Sequence, residues 1–342
     1  MKGQKRTQNR ISLLFLKGSD LRQREHQVLK DASERTGFIP KKLLRRSSWW
    51  TSKEIGAFQY EGEFKGKKAL LKIQGIKPQT SEIYMIKSFS ETNKSKILRP
   101  PHLYATLPWD DGKRYEALIM ELVESNPVVN LPAKDQEIDK FYDLYLEYRN
   151  NCLNSPWLDK PEESISESVE KNFSKWRVAS FKLYPSHRLR KEEDKDLIDE
   201  AVKILGDGYK GIEPEFQHPH LTELDLYRTG NQVVILSNLY WAWRAPIYDA
   251  IFGFHWFKYR LSNVRDITQE QIDKQIGLWL SKIESLSIVR DNERLYKLAM
   301  LERYAAGLNL DSLSINSDKS SASYLVESTR RELRKLIVEL SK

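Results

Sequence analysis

The segment of residues 216–249 constrains the fold of this chain more than any other part of the sequence. A polar run ends at Leu226, a turn follows at Gly230, and residues 233–236 form a continuous apolar stretch. Short apolar stretches next to turn residues are typical of buried strands. Histidine and carboxylate side chains precede this stretch. The segment therefore predicts a core strand bordered by groups that can carry acid–base or metal chemistry.

The polar residues around this strand have a regular spacing. His218 is followed two residues later by His220 and five residues after that by Asp225, while Asp249 comes twelve residues after Ser237. This order resembles the aminoglycoside phosphotransferase and choline kinase-like family, whose pattern is His-Gly-Asp-x-x-x-x-Asn, a strand, Ile-Asp-aromatic, and then Pro-x-Tyr-Asp. The likeness lies in spacing and hydrophobic outline.

The resemblance implies that the chemically active positions have changed. His220 stands where the family has its catalytic base Asp, and Asp225 stands at the position of a metal-binding Asn. Ser237 replaces the Asp that holds the metal ions bridging the nucleotide phosphates. An imidazole can also accept a proton, whereas a neutral hydroxyl is a poor substitute for a carboxylate ligand of Mg²⁺. Asp225 is then the one expected metal ligand where the family has two.

Two further positions of the pattern carry structural expectations. Asp249 corresponds to the family's helix Asp that anchors the backbone of the catalytic loop, which implies a preserved fold rather than preserved catalysis. His218 coincides with a structural position and is expected to pack in the core. A metal site at His218 and His220 is the alternative, since His-x-His on an extended segment can place both imidazoles near one ion. The sequence offers no cysteine cluster or third histidine nearby.

An upstream nucleotide-binding lobe is the next implication of the resemblance. Residues 67–73 read as a strand that carries Lys72, and kinases use a lysine on such a strand to hold nucleotide phosphates. Residues 81–89 place apolar side chains at helical spacing, with Glu82 in the first turn. These features predict a Lys72–Glu82 ion pair. Such a pair can also hold the helix against the sheet without any nucleotide.

The rest of this lobe follows in order along the chain. Asp111-Gly112 between apolar runs predicts a hairpin. Residues 120–124 resemble the hinge that meets an adenine ring, so Glu121 and Val123 are the expected nucleotide contacts. Residues 55–62 contain fewer glycines than a phosphate-covering loop prefers. The resemblance thus implies ATP and Mg²⁺ as candidate cofactors and leaves coverage of the phosphates open.

Composition bounds the class of protein. The chain has 342 residues, of which 40% are hydrophobic, enough to bury a large core and to build two lobes. The sequence contains no apolar run of about 18 residues, so no membrane span is expected. The single cysteine, Cys152, excludes an internal disulfide and favours a cytoplasmic location.

Positive charge is concentrated at the N-terminus. Residues 1–46 contain 13 Lys or Arg and 4 Asp or Glu, a balance of +9, whereas the whole chain carries +8. Residues 21–32 predict a helix that is capped by Ser19 or Asp20 and ends near Gly37. The basic run 41–46 suits contact with phosphate backbones or anionic lipid. A solvated helix packed on the small lobe is the simpler explanation of the pattern.

The remainder of the chain is predicted to be mainly helical, with a dense aromatic group at residues 240–257 that is expected to form core or an interface. The predicted fold class is α+β: a two-lobed protein kinase-like fold with a small antiparallel-sheet N-lobe and a large, mainly helical C-lobe. The expected divisions are a basic extension at 1–48, an N-lobe at 49–124 and a C-lobe at 125–342. The catalytic-loop-like segment spans 216–238.

Three functions are consistent with the sequence. The favoured hypothesis is a pseudokinase that binds or scaffolds a protein or small-molecule partner without catalysis. The alternative is a divergent ATP-dependent small-molecule phosphotransferase in which His220 is the base and Asp225, with Glu223 or Asn238, holds Mg²⁺. A third hypothesis is a nucleic-acid-associated protein that uses residues 1–46. The sequence names neither a phosphate acceptor nor an oligomeric state.

Overall fold

The computed structural model describes residues 19–47, 55–315 and 318–342. The chain divides into two compact units, the first made of residues 1–126 and 227–239 and the second of residues 127–226 and 240–342. Residues 1–18 and 48–54, and the side chains of the expected caps Ser19 and Asp20, lie outside the described part. None of the described helices is long and apolar enough to cross a membrane.

An antiparallel five-stranded sheet forms the body of the first unit. Its strands lie in the order β1-β2-β3-β6-β5. Strand β3 is central, and its apolar residues Leu71 and Ile73 are fully buried. One helix, α2, follows β3 and is capped at Ser81, whose side chain accepts from the Ile83 backbone N–H. The bounds are β1 (Ile39–Ser47), β2 (Ala57–Phe64), β3 (Lys67–Gln74), α2 (Glu82–Thr92), β5 (Leu103–Asp110) and β6 (Tyr115–Glu121).

The N-terminal helix α1 (Ser19–Thr36) packs on this sheet and ends at Gly37, whose φ is +77°. Its buried residues Val28 and Ala32 join the same apolar core as the sheet. The helix and its expected end point are thus confirmed. After the helix, the chain enters β1 at Ile39. Gly62 in β2 permits the close approach of β1, because a Cβ at position 62 would lie 2.2 Å from the Ile39 carbonyl oxygen.

The basic run 41–46 differs from the expected extension, because it belongs to the edge strand β1. Leu43 pairs with Tyr60 of β2, and Arg46 forms an ion pair with Glu25 of α1 at 2.5 Å. Lysine and arginine are common on edge strands, where they oppose pairing with a second chain. The strand was hidden in the sequence because only one of its two faces meets the core, and its charged residues dominate the pattern.

A second, three-stranded sheet also belongs largely to the first unit and has the order β4-β9-β8. Its bounds are β4 (Leu98–Arg99), β8 (Leu226–Thr229) and β9 (Gln232–Ile235). Leu98 pairs in parallel with Val233, and Val233 to Ile235 are fully buried. The apolar stretch at residues 233–236 was expected to form a core strand, and the burial of β9 confirms this prediction.

The second unit is mainly helical. Its one small sheet among the described residues pairs β7 with β10. The elements are α3 (Asp135–Asn151), α4 (Ile165–Leu183), α5 (Asp194–Gly208), β7 (Glu215–Gln217), β10 (Ala242–Arg244), α6 (Tyr248–Arg260), α7 (Gln269–Ser285), α8 (Ser287–Arg290), α9 (Glu293–Asn309) and α10 (Ser320–Leu340). The antiparallel sheet of the first unit and the helices of the second confirm the predicted α+β class.

Aromatic side chains fill the core of the second unit. Helix α6 is buried along almost its whole length, as expected for a helix that is apolar on every side. The Phe257 ring stacks on Trp279 at 4.2 Å between centroids, and Phe141 contacts the same indole at 4.7 Å. Most of the aromatic group at residues 240–257 therefore forms core, as predicted.

Candidate functional site

In the first unit, strand β3 and helix α2 present the predicted ion pair. Lys72 Nζ lies 2.5 Å from Glu82 Oε2, and the two side chains are 13% and 4% exposed. Lys72 is held by its register in the sheet, opposite Gln59 of β2 and Leu118 of β6. Glu82 is the first residue of α2. The prediction that the two residues pair is confirmed, and the pair joins the helix to the sheet.

A third charged residue, Glu116, adjoins this pair and was missed by the sequence-based prediction. It lies in β6, is fully buried, and accepts from the Ser81 hydroxyl at 2.7 Å and from the Glu82 backbone N–H at 3.4 Å. Burial and the neighbouring Glu82 charge raise its pKa, while these hydrogen bonds and the nearby Lys72 oppose the rise. The one available signal was a lone acid in the otherwise apolar run of β6.

Glu116 also changes the electrostatics around Lys72. Two carboxyl groups now adjoin one ammonium group in a largely buried setting. When both carboxyl groups are ionised, the cluster carries a net negative charge and disfavours an anionic phosphate. The hydrogen bonds from Ser81 and the Glu82 N–H place Glu116 at the N-terminus of α2, where the helix dipole favours negative charge. The cluster thus has a structural role that requires no nucleotide.

The expected hinge residues follow β6. Arg99 binds the Glu121 carboxylate through both terminal nitrogens. The His102 backbone N–H donates to Glu121 Oε1 at 3.0 Å, and the Glu121 N–H donates in turn to the His102 carbonyl oxygen at 3.0 Å. Val123 lies beyond the end of β6 and is half-buried. The Glu121 side chain is therefore committed to contacts within the first unit.

Strand β9 leads to Ser237, which stands at the family's metal-binding Asp position. Ser237 has a φ of +60°, a left-handed conformation that is uncommon outside glycine and marks positions under local constraint. The neighbouring Asn238 is buried, and its Nδ2 donates to the Ile235 carbonyl oxygen at 2.9 Å. The amide is thus used to close the turn after the strand.

In the second unit, the imidazole at the expected base position is half-buried and packs against two aromatic rings. The His220 ring stacks on Tyr240 with 4.1 Å between centroids and lies 4.5 Å from Phe252. Its Nδ1 is buried and has no hydrogen-bond partner among the described residues. Burial, with the nearby His218 ring and the Arg303 charge, lowers the pKa of His220 to about 3. A general base works best with a pKa close to the working pH, so this imidazole is poorly placed and poorly tuned.

The acidic residues of the same loop have local partners. Asp225 Oδ2 accepts from the Thr222 backbone N–H at 2.9 Å and from its hydroxyl at 2.7 Å. Glu223 is fully buried and forms an ion pair with Arg260 of α6. Burial raises the pKa of Glu223, and the Arg260 charge opposes the rise. Each of these carboxylates therefore helps to hold the loop in place.

Asp249, the residue expected to anchor the backbone of this loop, directs its carboxylate to helix α3 and meets Gln217 through its backbone N–H. Asp249 accepts from the Tyr145 hydroxyl at 2.8 Å and pairs with Arg149 at 3.2 Å, and its own N–H donates to Gln217 Oε1 at 2.8 Å. The preceding Ile247 has a φ of +72°, a strained backbone for a β-branched residue. The described bonds of Asp249 thus link α6 to α3 and to β7, and a contact of its carboxylate with the loop backbone stays a prediction.

His218 has the packing role that its position predicted. It is fully buried, its ring meets Trp241 edge-on at 5.1 Å, and its backbone N–H donates to the Tyr148 hydroxyl at 2.6 Å. Within residues 19–47, 55–315 and 318–342, no group of three or more His, Cys, Asp or Glu side chains is arranged to hold a metal ion.

These residues do not fit the magnesium ions that the resemblance implies. The position after β9 offers the neutral hydroxyl of Ser237, a weak ligand compared with a carboxylate. Asp225 directs one carboxylate oxygen to Thr222. Of the residues considered as supporting ligands, Glu223 is paired with Arg260 and the Asn238 amide group donates to Ile235. The carboxylate that the family places after β9 is thus missing, and Asp225 and Glu223 each use one carboxylate oxygen in a contact within the protein.

Comparison with known proteins yields similarity at the level of structure. No protein-family model and no curated protein sequence matches the chain. Apo aminoglycoside phosphotransferase APH(4)-Ia, a thermostable mutant, superposes with a TM-score of 0.59 at 11% identity, over 90% of this chain and 98% of its own. Amicoumacin kinase hAmiN, in complex with AMP-PNP and Ca²⁺, gives 0.56 at 12% identity, over 92% and 95%.

Choline kinase from Cryptosporidium parvum gives a TM-score of 0.53 at 15% identity, over 92% of this chain and 97% of its own. These proteins span almost the whole chain, including both units, whereas their sequence identity is low. The fold expected from the spacing of His218, Asp225 and Asp249 is therefore confirmed. This chain adopts the protein kinase-like fold of the aminoglycoside phosphotransferases and choline kinase.

Proposed function

We propose that this chain is a pseudokinase, a protein that keeps the phosphotransferase-like fold and binds a partner or small molecule without transferring phosphoryl groups. The observation that carries the proposal is the packing of the His220 ring against Tyr240 and Phe252, with its Nδ1 buried and without a hydrogen-bond partner among the described residues. A base must reach the proton it removes, within about 3 Å or through one water. The buried Nδ1 of His220 does not meet this requirement, and a pKa lowered to about 3 leaves the half-buried ring a weak base.

The metal positions support the same proposal. Phosphoryl transfer depends on positioning and on metal ions that neutralise the charge between the phosphates. Ser237 supplies no carboxylate, and Asp225 is bonded to Thr222. Loss of the base and loss of the metal ligands are separate defects, so repair of one would leave the other.

The retained groups fit a binding role. Lys72, Glu82 and Glu116 join α2 to the sheet, and Asp249 bonds to Tyr145 and Arg149 of α3. A fold kept rigid without its catalytic groups is suited to present a surface or a pocket. The phosphotransferase and kinase neighbours include complexes with ADP and AMP-PNP, so a nucleotide is one candidate ligand of the first unit.

The competing proposal is a divergent ATP-dependent phosphotransferase, and ATP turnover separates the two. Release of labelled γ-phosphate is measured with the full chain, Mg²⁺ or Mn²⁺, and two variants. Lys72→Ala removes the ion-pair lysine, whereas Lys68→Ala removes a lysine of the same strand whose side chain is 68% exposed. We expect all three proteins to show only background release. Turnover that is kept in Lys68→Ala and lost in Lys72→Ala would establish the enzyme instead.

A further inference from the structure

Helix α4 of the second unit exposes apolar side chains that the fold does not use. Val178 is 71% exposed and Phe181 is 57% exposed. Residues three apart in a helix lie on the same face, so the two side chains form one apolar patch. The opposite face of the helix packs inward through the buried Val169, Phe173 and Leu183. The outward direction of the patch is therefore fixed by the core.

Positive charge surrounds this patch. The 21 residues from Lys171 to Lys191 contain seven Lys or Arg and no Asp or Glu. Lys171, Lys175 and Lys182 are exposed, and their spacing from Val178 and Phe181 is helical, so all five residues share one face. We call this set of five residues the α4 basic face. The excess of positive charge here is local, because residues 47–342 carry 43 Lys or Arg and 44 Asp or Glu.

Acidic residues from neighbouring segments offset part of this charge. Ion pairs link the stretch to four acids, in the pairs Lys171–Glu163, Arg177–Asp199, Arg188–Asp318 and Lys191–Glu327. Pairs between exposed side chains are weak and readily exchanged, so these cations can turn to a stronger anionic surface.

Arg190 connects the charge to the apolar patch. Its guanidinium lies 4.9 Å from the centroid of the Phe181 ring and donates to the Ser180 hydroxyl. One terminal nitrogen, NH1, is buried without a hydrogen-bond partner among the described residues. Burial lowers the pKa of Arg190. The Arg190 guanidinium therefore lies on an exposed ring and has one N–H group without a partner among the described residues. Such a group can donate to an anionic oxygen that lies next to an apolar phase.

We propose that the α4 basic face binds the surface of an anionic phospholipid membrane. Lysines beside protruding apolar side chains are the pattern of helices that lie in the membrane interface, with the apolar groups at the level of the acyl chains. A fluid lipid surface accepts protruding side chains without a matching pocket, whereas a protein partner needs one. Single-stranded nucleic acid favours several stacked aromatic rings, and this face offers Phe181 alone. The proposal is independent of the pseudokinase assignment.

Sedimentation of the full chain with vesicles tests the proposal. The vesicles are made of phosphatidylcholine alone or of phosphatidylcholine with about one third phosphatidylserine. We expect binding to the anionic vesicles to be at least about tenfold tighter. We also expect it to weaken when the salt concentration rises from about 0.1 M to about 0.5 M, because the Debye length shortens. Equal affinity for the two compositions would overturn the proposal.

Paired variants show whether the α4 basic face is responsible. Val178→Ser with Phe181→Ser removes the apolar patch, and Lys175→Gln with Lys182→Gln removes two charges. Val338→Ser is the matched control, because Val338 is 59% exposed on another helix. We expect both double variants to lose at least about tenfold in affinity while the control and the thermal unfolding of all proteins stay unchanged. Full vesicle binding by both double variants, or binding to oligouridine RNA but not to vesicles, would refute the assignment.

Discussion

The surroundings of His220 change the acid–base properties of the imidazole at the expected base position. Its position along the chain is that of a catalytic base, yet its ring is stacked on Tyr240 and its pKa is lowered to about 3. The lowered pKa favours the neutral imidazole at physiological pH, and the ring packs against Tyr240 and Phe252. The Arg303 guanidinium, 4.7 Å from the centroid of the Phe252 ring, adds to the cost of protonation.

This packing role predicts a specific dependence of stability on pH. A histidine whose folded pKa lies below its unfolded value of 6.5 contributes stability above pH 6.5, and this contribution is lost as the pH falls toward the folded pKa. His220→Phe keeps an aromatic ring and removes the titration. We expect the variant to match the original chain near pH 7 and to be more stable by about 1–2 kcal/mol near pH 4.5.

Urea unfolding at the two pH values measures the effect, with the exposed His102→Phe as the control. An equal loss of stability for the original chain and His220→Phe on acidification would show that His220 is not held neutral. Loss of any measurable ATP turnover in His220→Phe would point instead to a working base.

Glu116 leads to the opposite pH dependence. Its folded pKa is raised above the ordinary value of 4.5, chiefly by burial, so the protonated form is favoured in the folded state. The penalty for ionising Glu116 is absent below about pH 4.5 and complete above its folded pKa. Glu116→Gln mimics the protonated acid and can still accept from the Ser81 hydroxyl. We expect the variant to gain stability relative to the original chain as the pH rises from 4.5 to 8, measured by thermal unfolding. A constant difference across this range would contradict the raised pKa.

At the scale of elements, the N-terminal helix α1 packs on the sheet of the first unit, and β1 is the edge strand of that sheet. Helix α1 was predictable because its residues follow a helical pattern that ends at Gly37. Strand β1 was not predictable, because its many basic residues conceal its pairing with β2. The consequence for experiments is direct. Removal of residues 1–46 to test nucleic-acid binding would also remove Val28, Ala32 and Phe38 from the core.

We therefore predict that deletion of residues 1–46 unfolds the first unit. The single change Phe38→Ala should cost about 3–5 kcal/mol of unfolding free energy, as expected for truncation of a buried phenylalanine. The combined surface variant Lys41→Gln, Lys42→Gln and Arg45→Gln should change stability by less than about 1 kcal/mol. Urea unfolding checks both. A folded, fully stable deletion variant would show that α1 and β1 are dispensable. The surface variant is the proper test of nucleic-acid binding by this region.

For the whole molecule, the fold could be predicted from the sequence better than the surroundings of the residues at the expected catalytic positions. The Lys72–Glu82 pair followed from local spacing and fixed register. The Glu116 contact with Ser81 joins residues 35 positions apart, and the contact of His220 with Phe252 depends on how α6 packs. No local pattern encodes such long-range contacts.

The central claim is that both units keep the kinase-like frame while the ability to bind a metal–nucleotide complex is lost. The most direct test is thermal unfolding of the full chain with ATP, in the absence and presence of Mg²⁺ or Mn²⁺. Lys72→Ala is measured in parallel against its own ligand-free baseline, because this change leaves Glu82 without its ion pair and lowers stability by itself. We predict that neither metal ion increases the effect of ATP on the unfolding temperature of either protein. A metal-enhanced rise in the original chain that disappears in Lys72→Ala would contradict the account.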